Sequence, residues 1–150
     1  NEKEKILTPK EQEVKTTNDR INEYKEALLD VSFVDNFQKK WEAMGLKEDQ
    51  VIDHNNARTL TIDNRNFSKS NFWALPYKGR YIIFAGRTLR SNVAALTAND
   101  SRWAKEIFEG IFEIVQGDEF FTKSVANADR VGDVFTISKI GVVYVPSRNN

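Results

Sequence analysis

At Arg58 the spacing of apolar residues changes from helical to alternating, and after Gly86 it changes back. That switch limits the fold more than any other feature, because a helical period and a two-residue period belong to different elements. Before Arg58 the pattern is helical. Thr8, Pro9 and Glu11 supply an N-cap, a first-turn proline and the acidic half of a T-x-x-E capping box. The predicted helix runs to residue 29, with Leu7, Val14, Ile21 and Leu28 recurring every seven residues. A coiled coil needs a second apolar seam, and here Lys10 and Thr17 interrupt it. The helix is therefore expected to lie as a narrow stripe on the domain's own core, with its first turns less attached. Val34, Phe37, Trp41 and Met44 predict a second, short amphipathic helix with Gly45 as its C-cap.

The alternating stretch predicts strands at 58–63, 71–75 and 80–85, the last two joined by a turn at Pro76, Tyr77, Lys78 and Gly79. Residues 81–84 are apolar on both faces, as in a central strand. Beyond Gly86, Thr88 caps a short predicted helix through Leu96. Asn99, Asp100 and Ser101 then start a longer one to residue 116, whose stripe includes Trp103, Ile107, Phe108, Ile111 and Val115. Residues 117–130 have the composition of a loop, and 131–138 and 140–145 read as two more strands. The expected architecture is α+β: a helical arm over 1–30, then one globular domain over 31–150. In that domain helices pack on a mainly antiparallel sheet of about five strands.

Composition narrows the chemistry. The chain has 150 residues, the size of one domain, and no cysteine, which removes disulfides, thiolate zinc sites and cysteine nucleophiles. No apolar run is long enough to span a membrane as a helix. The one histidine, His54, stands beside Asp53 in a polar turn with no G-x-S-x-G context, so it reads as a surface residue and not as a triad member. Phosphate-binding glycine motifs are missing, and Gly86-Arg87-Thr88 is the nearest approach to one. Glu106, Glu109 and Glu113 share the solvent side of the predicted long helix. Neither a metal nor a cofactor is expected, and the reading leans away from an enzyme. A start at Asn1 without Met is compatible with a processed, extracytoplasmic protein, though the compartment is not fixed by it.

Charge is segregated along the chain. Residues 57–105 hold 9 Lys and Arg against 2 Asp and Glu, net +7, while 1–56 and 106–150 are net −4 and −3. The basic third also carries Phe67, Phe72, Trp73 and Tyr77. The first functional expectation is a non-enzymatic binding or assembly module. It would meet a protein partner, or a second copy of itself, through the N-terminal helix and the surface Arg65, Lys69, Trp73, Tyr77, Lys78, Arg80, Arg87 and Arg90. A second is a small-ligand pocket or enzyme lined by His54, Arg80, Arg87 and Tyr144. A third, disfavoured by a near-neutral pI of 6.8, is single-stranded nucleic acid bound along 57–105. Helices packed on the sheet would answer part of the positive charge internally, leaving Arg65, Lys69 and Lys78 as the outward patch.

Overall fold

A computed structural model describes residues 8–48, 57–91 and 106–146. Its helices are α1 (Pro9–Leu29), α2 (Val34–Trp41) and α3 (Arg87–Ser91). Its strands are β1 (Met44–Glu48), β2 (Thr59–Ile62), β3 (Phe72–Tyr77), β4 (Arg80–Ala85), β5 (Phe112–Gly117), β6 (Phe121–Ser124), β7 (Ala126–Val131), β8 (Val134–Lys139) and β9 (Gly141–Pro146). In the order β1-β2-β8-β7-β4-β3, six strands close into an antiparallel barrel. The other three form a small sheet, β5-β9-β6, in which β9 runs parallel to β5 and antiparallel to β6.

The expected α+β domain with helices on an open sheet is thus corrected to a mostly β protein with a closed barrel. Three local causes account for the difference. Residues 106–108 are helical, but Gly110 turns into the left-handed region at φ 79° and the stretch that follows, with Phe112, Ile114 and Val115, becomes β5. The predicted helix to residue 116 therefore stops early, and its stretch over 92–105 lies outside the described residues. Gly45, expected as a C-cap, sits inside β1, where a Cβ would collide with the Ser70 side chain; α2 instead ends at Glu42, in the left-handed conformation. Finally, the expected loop over 117–130 contains β6 and β7. β7 does alternate, but its inward residues Ala126 and Ala128 are too small to register as a hydrophobic signal.

Those alanines belong to the barrel's interior. Cross-strand partners share a face, and Ala74 pairs with Ile83, Ile83 with Ala126 and Leu60 with Phe135. All five are fully buried. Small barrels are filled by side chains that alternate in size, and six strands leave less room than eight. Pairing of β1 with both β2 and β3 completes the ring.

The outer face of β3 and β4 is buried as well, beneath the helices. Trp73 and Phe84 pair across the strands, and Tyr24 of α1 packs on both, with ring centroids 6.0 and 4.5 Å away. Phe37 of α2 lies 5.5 Å from Trp73. The Tyr24 hydroxyl donates to the Ala85 carbonyl at 2.8 Å, lies 3.0 Å from Thr122 Oγ1 and accepts from the Thr122 amide at 3.1 Å. Thr122 Oγ1 also accepts from the Ala85 amide at 2.9 Å. One phenol thus links α1, the barrel through β4 and the small sheet through β6. Burial pushes its ionisation well above the ordinary phenol range, against the smaller opposing effect of the hydrogen bonds to Thr122.

Candidate functional site

α1 crosses the barrel's outer face and leaves a cleft of about 350 Å³ beside it. Its apolar floor is Ile21 of α1, Ile82 and Phe84 of β4, and Val125, between β6 and β7. Around the floor stand Arg20, Lys123 and Lys139, with Tyr77, Ser124 and Asn127. Among the described residues, no Asp or Glu lines it. The strand period places these groups: Ile82 and Phe84 are alternate residues of β4, and Asn127 is the cross-strand partner of Lys139.

Arg20 is held without an acid. Its guanidinium packs on the rings of Trp41 and Tyr77, 4.6 and 4.7 Å from their centroids. Trp41 is positioned by Glu23, whose carboxylate accepts from the indole N–H at 3.2 Å and from Lys40 at 2.7 Å. The rings cover Arg20 Nε and Nη1, which are buried with no acceptor, so Nη2 is the guanidinium nitrogen left open. A charged group relieved of water in this way interacts more strongly with an incoming anion than one in bulk solvent. Among the described residues, Arg20, Lys123 and Lys139 have neither an ion pair nor a hydrogen-bond partner.

Two cations elsewhere on the barrel are satisfied internally. Arg65 forms a fork to Asp63, with Nη2 to Oδ2 at 2.8 Å and Nε to Oδ1 at 3.0 Å. Arg80 makes the same kind of fork to Asp129, at 2.9 and 3.2 Å. Asp63 is almost completely covered, and the hydrogen bonds from Arg65 hold its carboxyl below the usual range, outweighing burial. A depressed carboxyl stabilises the fold above its ordinary pKa of about 4, and the contribution disappears as pH falls through the lower native value. Asp63→Asn is expected to lower the urea midpoint at neutral pH. The gap to the parent protein should narrow below about pH 4, as unfolding curves across that range will show.

The residues singled out from sequence are spread around this site. Tyr77 lines the cleft. Lys78 and Arg80 join Tyr77 and Arg20 around an adjoining, more open depression of about 300 Å³. Trp73 is fully buried, its indole N–H donating to the Phe67 carbonyl at 3.1 Å, and Phe67 and Phe72 are buried too. Lys69 is exposed at the end of the single helical turn Phe67–Lys69, and Arg65 is exposed beside Asp63. Arg87 and Arg90 are half-buried on α3, beyond the end of β4. Tyr144 lies on the small sheet, edge-on to Phe121. Arg80, Arg87 and Tyr144 do not line the cleft, and His54 lies outside the described residues.

Arg20, Lys123 and Lys139 escaped the sequence reading for a definable reason. They come from the segments 1–56 and 106–150, which are acidic overall. Segment charge cannot reveal cations that only the fold brings together. β6 itself carries no alternating signal, since Lys123 and Ser124 are both exposed and its buried residue is Thr122. Comparison of this chain with protein-family models, with curated proteins and with solved structures returns no match.

Proposed function

We propose that this protein is a non-enzymatic binding module that captures an anionic ligand in the cleft between α1 and the barrel. One observation carries the reading: three cations, without acidic partners among the described residues, line one cleft with an apolar floor. Elsewhere on the same barrel, Arg65 and Arg80 are each matched to an aspartate. An enclosed apolar surface with a few convergent polar groups is the usual form of a small-molecule site, and this cleft is near the lower end of their size range. The cleft also joins two surfaces expected from sequence, the N-terminal helix and the strand region around Tyr77.

A ligand that binds only the native state raises the melting temperature by mass action. At a hundredfold excess over Kd, a 150-residue domain should gain about 5–10 °C. Thermal melts with a panel of organic and inorganic anions should show such a rise. Lys123→Glu/Lys139→Glu should abolish it, and Lys39→Glu/Lys69→Glu, placed on exposed lysines outside the cleft, should not. If no anion stabilises the protein, or both variants respond like the parent, the cleft is not an anion site.

A further inference from the structure

We infer that the ligand is a small amphiphilic carboxylate: an unbranched or lightly branched acyl chain on the apolar floor, with its head group at Arg20, Lys123 and Lys139. The inference rests on the binding reading above and adds the chemical class. The floor formed by Ile21, Ile82, Phe84 and Val125 offers nothing to a purely ionic ligand. A neutral ligand, conversely, would make no use of the three cations beside that floor. An amphiphile satisfies both halves at once.

Size and donor geometry narrow the class. At about 30 Å³ per water-sized group, a cleft of about 350 Å³ holds on the order of ten non-hydrogen atoms. That is the scale of a medium-chain acid such as octanoate. The side chains able to donate to a head group are the open Nη2 of Arg20, two lysine ammonium groups, Ser124 and Asn127. Phosphate sites instead draw on backbone amides at a helix start or a nest, and α1, α2 and α3 begin at Pro9, Val34 and Arg87, none of which lines the cleft. A peptide is also a poorer fit. The barrel strands beneath the floor are paired on both sides in the closed ring, which leaves only the edge strand β6 to bond a peptide's amides.

Calorimetric titration of the full chain with octanoate, below its micellar concentration, tests this against four comparators. Acetate supplies the head alone, octanol the tail alone, inorganic phosphate the other common anion, and an N-acetylated tripeptide acid ending in leucine a peptide terminus. Octanoate is expected to bind saturably, and each comparator at least about tenfold more weakly. Lys123→Glu/Lys139→Glu should remove octanoate binding while circular dichroism shows the fold retained. If phosphate or acetate binds as tightly as octanoate, or the peptide binds more tightly, the acyl-carboxylate assignment is wrong and the anion cleft stands. If none of the five binds, both fall.

Discussion

Tyr24→Ala is expected to destabilise the protein by about 3–5 kcal/mol from the lost ring alone. That is a large fraction of the 5–15 kcal/mol typical of a domain, so the variant should melt far earlier or fail to accumulate. Tyr24 is completely buried and its ring meets Phe37, Trp73 and Phe84. Tyr24→Phe separates the ring from the hydroxyl. It leaves the Thr122 amide without that acceptor and the Ala85 carbonyl without that donor, at a cost of about 1–3 kcal/mol. Combined with Thr122→Val, the two losses should be non-additive by about 0.5–3 kcal/mol in a double-mutant cycle, because the side chains share one network. The hydroxyl also has a pH signature. Its ionisation is raised in the native state, so its stabilising effect is complete below the unfolded phenol pKa of about 10 and is lost progressively as pH rises from there toward the native value. Urea midpoints should therefore fall with rising alkalinity more steeply in the parent than in Tyr24→Phe, and equal slopes would show that Tyr24 is not buried as described.

Trp73→Ala should cost a similar 3–5 kcal/mol, roughly, for a different reason. Its indole is fully buried against Tyr24, Phe37 and Phe67, the last stacked at 4.7 Å, so truncation opens a void beneath α1 and α2. Its polar atom matters less. The Phe67 carbonyl that accepts from the indole also accepts from the Ser70 amide at 3.1 Å, and stays satisfied when the indole is gone. Trp73→Phe should therefore lose only packing, about 1–2 kcal/mol, whereas Tyr24→Phe exposes unmet polar groups. Equilibrium urea unfolding of the four single variants tests the contrast. A Trp73→Phe loss as large as that of Trp73→Ala would place the indole hydrogen bond, and not the ring, at the centre of the packing.

The legible parts of the fold were those set by local pattern. Thr8 caps α1 and Glu11 closes the capping box, as the sequence predicts. The hairpin between β3 and β4 forms at Lys78 and Gly79, both with positive φ, and Pro76 and Tyr77 extend β3 into the predicted turn. Strands near 59–62, 134–139 and 141–146 also lie close to their predicted positions. Closure was illegible, because pairing β1 with β3 and β2 with β8 joins residues far apart in sequence. The run Ile111 to Val115 fits a helix stripe as well as a strand, and only Gly110 distinguishes them. Charge was the weakest guide to the site. The positive segment suggested Arg65 and Arg80, which the fold pairs with Asp63 and Asp129. The unpaired cations of the cleft belong to the two negative segments, and Arg20 lies on a helix that also carries Glu11, Glu13, Asp19, Glu23 and Glu26.

The most direct test of a binding cleft under α1 is the side-chain N–H spectrum of the arginines during titration with octanoate, acetate and phosphate. The Arg20 Nε–H signal, covered by Trp41 and Tyr77 and lacking an acceptor, should shift saturably with at least one of them, together with the backbone amides of Ser124 and Asn127. The Nε–H signals of Arg65 and Arg80, already bonded to aspartate, should stay in place. An Arg20 signal unmoved by all three anions, or moving no more than those of Arg65 and Arg80, would contradict it.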